Sequence, residues 1–227
     1  MIAIISDVHG NYPALESVIE YCEKINVSHI YSLGDVCGYY SMINESIDLL
    51  RKYNVVHIVG NHDNYLINNI ECSRSHIVND CIRFQREIIT EENFKWLDEC
   101  EISLVNNNIH MVHGGWKDNL EEYIYNINID YFSNFHPGFY FSGHTHIQQL
   151  NTFKNNFIYC NPGSVGQPRD NDSRTSFALF DGETINLIKI NYNINKICDH
   201  MKKSGFTDHY YKNLLTGVSI IADQLYK

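Results

Sequence analysis

Short apolar runs that stop at a polar, glycine-containing turn recur along this chain. Met1 to Ile5 is the first. It is apolar and β-branched, is broken by Ser6-Asp7-Val8-His9-Gly10, and predicts a buried strand. From Asn11 to Asn26, Leu15, Val18, Ile19 and Cys22 fall at helical spacing behind Pro13, which suits a first helical turn. Val27 to Leu33 predicts a second strand, with Gly34-Asp35-Val36-Cys37-Gly38 at its tip. Ser41 to Tyr53 predicts a helix with Ile43, Ile47 and Leu50 inward. Val55 to Val59 predicts a third strand, ending in Gly60-Asn61-His62-Asp63. Crossovers this short imply parallel neighbours with right-handed connections, so the three tips share one sheet edge.

Further along, Asn64 to Cys100 loses the alternation and reads as helices leaning over that edge. Ile102 to Val105 and Ile109 to Val112 predict paired strands, the second ending in His113-Gly114-Gly115. Asp118 to Phe135 is helical or irregular. Phe139 to Phe141 predicts a strand with Ser142-Gly143-His144-Thr145-His146 at its tip. Strands follow near Gln149 to Phe153 and Phe157 to Cys160, then a turn-rich loop from Asn161 to Arg169. Ser176 to Phe180 and Thr184 to Asn191 read as a hairpin around Asp181-Gly182-Glu183, and Ile194 to Lys203 and His209 to Leu215 as closing helices. The pattern is that of an α/β protein. The whole chain, 1–227, is expected to form one domain, with 64–100 as a helical, cap-like segment within it.

Composition narrows the function. With 44% hydrophobic and 13% aromatic residues the chain can fill a sizeable core. Its 17 Lys and Arg against 27 Asp and Glu leave a net charge of −10. With no basic block, this disfavours long nucleic acid as a partner. The seven cysteines include no C-x-x-C pair, and the N-terminal apolar run is too short for a leader. Free thiols and a cytoplasmic location are therefore expected. No stretch approaches the length of a membrane span.

The chemistry-bearing residues sit at the predicted tips. In open α/β sheets, ligands collect outside the carboxyl ends of strands. Asp7 and His9 at one tip are open to three readings: a metal pair, a general-base pair or a salt bridge. Asp35 alone is equally a helix N-cap, Asn61 a turn residue and His113 a polar loop residue. Yet Asp7, His9, Asp35, Asn61, His113, His144 and His146 all fall on the same edge. So many ionisable groups in one crevice are costly to bury without cations.

Five blocks carry a family resemblance: Asp7-Val8-His9-Gly10-Asn11, Gly34-Asp35-Val36-Cys37-Gly38, Gly60-Asn61-His62-Asp63, His113-Gly114 and Gly143-His144-Thr145-His146. In this order they resemble the calcineurin-like metallophosphoesterases, most of all their small single-domain bacterial and archaeal branch, which the loop Asn161 to Arg169 also resembles. The resemblance implies two facing mixed β-sheets flanked by helices, a four-layer α/β/β/α sandwich. It implies that Asp7, His9, Asp35 and His146 hold one metal, and that Asp35, Asn61, His113 and His144 hold a second, with Asp35 bridging. Mixed nitrogen and oxygen donors suit transition ions, Mn²⁺ first, with Fe, Ni or Zn as alternatives. Two such ions, about 3.5–4 Å apart, share a bridging hydroxide and clamp a phosphoryl group.

The resemblance also places His62 at the scissile phosphate, for charge stabilisation and protonation of the leaving oxygen. Asp63 is expected either to orient that imidazole or to serve as a loop cap. Asn11 and Arg169 are candidates for phosphate binding, Arg169 having a salt bridge to Asp170, Asp172 or another chain as its rival. The expected activity is phosphodiester hydrolysis on a small or nucleotide substrate. Phosphomonoester or dinucleoside polyphosphate hydrolysis is the alternative. A non-catalytic scaffold is the reading from another class: a retromer subunit resembling this fold binds partners and has lost several metal-site residues, whereas here every ligand position is filled. The family often pairs, so a homo-oligomer fits, though no stretch specifies one.

Overall fold

The strands alternate between two cores, and that alternation sets the layers. In β1 (Ile2–Ile5), Ala3 and Ile5 face a core shared with α1 (Tyr12–Lys24), while Ile4 faces a second core between two sheets. In β9 (Thr175–Phe180), Phe177 and Leu179 join the first core, and Ala178 and Phe180 the second. A strand buried on both faces needs apolar residues at every position, which is why these runs look continuous. The structure, a computed structural model, describes residues 1–220.

The first sheet has the order β10-β9-β1-β2-β3, with β2 at His29–Ser32, β3 at Val56–His57 and β10 at Ile185–Ile190. β1, β2 and β3 run parallel, as the crossover argument requires, while β9 and β10 are antiparallel. β3 is shorter than the apolar run Val55 to Val59, because its end turns to Glu101: Ile58 bridges to it and Val59 N–H donates to its carbonyl at 2.8 Å. The second sheet has the order β4-β5-β6-β8-β7 (Ser103–Asn106, Ile109–Val112, Gly138–Phe141, Phe157–Pro162 and Gln148–Thr152). β5, β6 and β8 are parallel within it.

The remaining helices among the described residues are α2 (Ile43–Lys52), α3 (Asn61–Asn68), α4 (His76–Ile88), α5 (Glu91–Asp98) and α6 (Ile194–Lys203). Asn64 to Cys100 is helical as expected, and its Tyr65, Leu66, Val78, Ile82 and Leu97 join the core shared with α1. Full burial of each such aliphatic side chain is worth ~1.5–3 kcal/mol. The outer face of the second sheet is covered differently. Tyr140, Phe157 and Tyr159 pack under Ile124 and Phe132 of an irregular segment whose one helical piece is a 3-10 turn, Ile129–Phe132. The expected closing helix at His209 to Leu215 is two 3-10 turns, because Tyr211 between them leaves helical geometry (φ −139°, ψ −11°). All seven cysteines are free, and no helix among the described residues is long and apolar enough to cross a membrane.

Candidate metal centre

The carboxyl ends of β1, β2, β3, β5 and β6 meet at one point. Backbone hydrogen bonds zip the tips together: Asp7 N–H to Gly34 O, His9 N–H to Asp35 O and Gly143 N–H to His113 O, at 2.8–3.0 Å. Other bonds cross between the sheets, among them His144 N–H donating to Asp7 Oδ2 at 3.1 Å. Asp7, His9, Asp35, His144 and His146 all sit in the left-handed region, with φ of 56°, 52°, 59°, 66° and 61°. For a non-glycine residue this costs on the order of 1–2 kcal/mol. Such strain concentrates at functional sites, and here it turns five side chains into one crevice. The approach is close: a Cβ on Gly60 would stand 2.1 Å from Asp35 Oδ1.

All seven ligand candidates are buried there. Asp7, His9 and His146 form one potential metal group, and Asp35, His113 and His144 a second. Asn61 Oδ1 points into the latter, 2.9 Å from His113 Nε2. Asp35 Oδ2 stands between the groups, 3.8 Å from His9 Nε2 and 3.4 Å from His113 Nε2. Asp35 Oδ1 is occupied, accepting His62 N–H at 2.8 Å.

Three imidazoles are fixed by backbone carbonyls. His9 Nδ1 donates to Cys37 O and His146 Nδ1 to Gln167 O, both at 2.6 Å, and His113 Nδ1 donates to Leu33 O at 2.8 Å. A carbonyl only accepts, so Nδ1 carries a hydrogen in all three rings and Nε2 is aimed into the crevice, free for a ligand in neutral His9 and His146. His9 Nε2 and His146 Nε2 then face each other at 3.1 Å as bare acceptors. Asp7 Oδ1, Asp35 Oδ2 and His144 Nε2 are buried without a hydrogen-bond partner. Acceptors converging without donors are costly, and cations relieve this, so the donor set fits metal.

The electrostatics agree. Burial raises the Asp7 carboxyl, but facing His146, His113 and His9 hold it well below the usual range. Burial and neighbouring imidazoles push His9, His62 and His144 down, and burial with the Arg169 charge does the same to His146. Burial pushes Asp35 up to about 7, with His113 opposing and Asp63 and Asp7 adding repulsion. His113 is raised to about 10 against its own burial by the Asp35 carboxylate. The pair therefore keeps one proton near neutrality, on His113.

His62 is buried at the same edge, its Nε2 3.9 Å from Asp35 Oδ2 and its ring packed on His9 and Tyr39. With His9 and Asp35 it forms a third group of ligand-capable atoms. Its Nδ1 has no partner and lies against Gly38 (φ +94°), where an added Cβ would stand 2.2 Å away. Asp63 does not orient this ring, which corrects the first of its two expected roles and leaves the loop cap. Both residues lie in the first turn of α3, and consecutive helical side chains do not face each other. Asp63 turns inward instead. Its Oδ2 accepts Asp35 N–H at 2.7 Å, Gly60 N–H at 3.0 Å and His57 Nε2–H at 3.1 Å, and its Oδ1 accepts Cys37 N–H at 2.9 Å. His57 Nδ1 in turn meets Ser32 Oγ at 2.9 Å. Burial would raise Asp63, but these bonds and the facing His57 hold it well below the carboxylate range. It is the clamp of the Asp35 loop.

Asn11 is also corrected. Its Oδ1 caps α1 by accepting Ala14 N–H, and its Nδ2 donates to Gly166 O at 2.8 Å and to Tyr192 Oη at 3.1 Å. The buried amide has no hydrogen to offer a phosphate. Arg169 takes neither expected carboxylate: Asp170 pairs with Lys189, and Asp172 with Lys189 and Arg174. Its guanidinium donates to Gln167 Oε1 and Tyr39 Oη and lies over the Tyr39 ring. It remains a cation facing the cluster. Tyr39, Gln85 and Gln167 escaped the sequence reading. Gln85 of α4 binds the Gly38 and Tyr40 backbones and so fixes the tip that carries Tyr39.

Comparison with known proteins agrees with this geometry. A model of the calcineurin-like phosphoesterase superfamily domain matches residues 1–184. An uncharacterized protein of Methanocaldococcus jannaschii is 28% identical over 239 residues, covering 96% of this chain and 98% of that one. The crystal structure of a metallophosphoesterase from Sphaerobacter thermophilus superposes with a TM-score of 0.83 at 28% identity, covering 96% of this chain and 98% of that one. A hypothetical protein from Pyrococcus horikoshii shares the fold at a TM-score of 0.81 and 20% identity, over 96% of this chain and 99% of its own.

Proposed function

The chain belongs to the calcineurin-like phosphoesterase superfamily, and from that premise we propose that it is a two-metal phosphodiesterase acting on a small or nucleotide substrate. The observation that carries this reading is Asp35. Its unpartnered Oδ2 lies between His9 and His113, one from each ligand group, which supports a carboxylate shared by two ions. Asp7, His9, Asp35 and His146 would hold one ion; Asp35, Asn61, His113 and His144 would hold the other. Divalent cations held there supply positive charge against phosphoryl oxygens and acidify water.

The rest falls to the chain's own residues. The carbonyls of Cys37, Leu33 and Gln167 keep three imidazoles aimed inward. His62 Nε2 stands at the rim as proton donor to the leaving oxygen. The Arg169 guanidinium offers hydrogen bonds and charge to a phosphate oxygen outside the cluster. Tyr39, packed edge-on against His9 and tilted over His62, keeps water off that side.

The test is a panel of phosphodiesters, phosphomonoesters and dinucleoside polyphosphates, run with Mn²⁺, Ni²⁺ and Zn²⁺ in turn, comparing wild type with Asp35→Asn. Metal analysis is run in parallel. Diesters turned over fastest, about two ions per chain, and loss of both in the variant are expected. One ion per chain in a fully active protein would overturn the shared-carboxylate reading.

A further inference from the structure

One side of the site's mouth is aromatic. Tyr123 leans on His144 with ring centroids 3.9 Å apart, and Tyr125 stacks on Tyr123 at 5.6 Å with the planes 6° apart. Exposure climbs along this line, from 3% at His144 to 39% at Tyr123 and 55% at Tyr125. The Arg74 guanidinium sits 5.3 Å from the Tyr123 centroid.

The two rings are held in place before anything binds. Glu121 accepts the Tyr65 hydroxyl and the Arg74 guanidinium. Glu122 accepts Lys117 N–H at 2.9 Å and the Tyr131 hydroxyl at 2.8 Å. Ile124, between the tyrosines, is buried in the core over the second sheet. Other aromatic side chains of that region, Phe132, Tyr140 and Tyr159, are buried in the same core. Tyr123 and Tyr125 instead present ring surface to solvent beside a metal-ligand candidate. Ordered aromatic surface of this kind stacks flat π-systems at little entropic cost.

We propose that Tyr123 and Tyr125 form a stacking ledge for the base of a nucleotide whose phosphate lies at the His and Asp cluster. The placement of the phosphate rests on the phosphoesterase reading above; the ledge itself rests on the tyrosines. The nucleotide's phosphate end points toward Arg169 and its base toward solvent, with Arg74 bounding the ledge.

Calorimetry on the Mn²⁺-loaded protein tests this with two probes, adenosine 5′-monophosphate and ribose 5-phosphate, which differ only in the base. The nucleotide is expected to bind at least about tenfold more tightly, the usual scale for one base on an aromatic ring. Tyr125→Ala, at a largely exposed position, is expected to close most of that gap with an unchanged melting temperature, and Tyr125→Phe to preserve it. Tyr123→Ala and Tyr123→Phe serve as the second pair. Equal binding of the two probes by wild type, or a gap that survives both alanine variants, overturns the ledge. A gap in a protein that hydrolyses nothing in the panel would leave the ledge standing and sink the phosphoesterase reading. Hydrolysis without a gap would do the reverse.

Discussion

His9 and His146 face each other through Nε2 atoms 3.1 Å apart, each ring having given its Nδ1 hydrogen to a backbone carbonyl. Two lone pairs at that distance repel, and the carboxylate oxygens of Asp7 and Asp35 nearby add no donor. The metal-free fold carries this repulsion as a cost, and a cation held by Asp7, His9 and His146 would relieve it.

Metal should therefore stabilise the protein strongly. At a hundredfold excess over the dissociation constant, linkage gives about 2.7 kcal/mol, or roughly 5–10 °C in melting temperature for a chain of this size. Differential scanning calorimetry with Mn²⁺ and with excess chelator measures it. No difference between the two would remove the cation argument.

Uptake should also release a proton. His113 is raised to about 10 by Asp35, so it is charged at pH 8 and must deprotonate to bind. The sign follows: the contribution of His113 to the stability of the metal-free protein is fully present below about 6.5 and is lost as pH rises through about 10. Apparent metal affinity rises over the same window. Titration calorimetry in two buffers of different ionisation enthalpy reads the proton count, expected near one for this pair.

His62→Ala should keep the full metal content and lose activity by a factor on the order of 10²–10⁴. Elemental analysis beside a rate measurement separates proton donation from ligation. Metal lost in step with activity would make His62 a ligand, as its place beside His9 and Asp35 allows.

Asp63→Asn should unclamp the Asp35 loop. It replaces an acceptor of four hydrogen bonds in a fully buried setting, at a cost of about 1–3 kcal/mol by urea unfolding at pH 7. Because the Asp63 carboxyl is held below its usual range, its stabilisation is present above about 4 and fades as pH falls through the folded-state value. The gap between wild type and variant should narrow in acid and not at alkaline pH.

Asn11 and Arg169 should behave oppositely. Asn11→Ala removes a helix cap, so stability drops by about 1 kcal/mol while KM holds. Arg169→Lys keeps the charge but not the planar fork, so KM rises while the melting temperature holds. A rise in KM for Asn11→Ala would restore it as a substrate residue.

The candidate ligands were legible because each is local to a strand end: an apolar run followed by Asp, Asn or His names the tip. Parallel crossovers bring together the tips within each sheet, but the facing of the two sheets, which the sequence pattern presents as one edge, is set by packing. Of the two readings of Asp63, the loop cap matches its bonds and the orienting of His62 does not, because adjacency in sequence is not adjacency on a helix; its side-chain partner is His57, reached inward across the end of β3. Tyr123 and Tyr125 left no signal. They lie in an irregular segment with no period, among 16 tyrosines in the chain. Their placement depends on Glu121 and Glu122, whose partners are settled only by tertiary packing.

The crevice draws Asp7, His9, Asp35 and Asn61 from the tips of one sheet, and His113, His144 and His146 from the other. An ion caught there would act as a rivet across a seam that backbone bonds such as Val165 N–H to Ser6 O and Gly166 N–H to Asp7 O also close. Withdrawing it should loosen the two halves along that seam before either melts, so amide exchange ought to quicken first at the rim where the sheets meet.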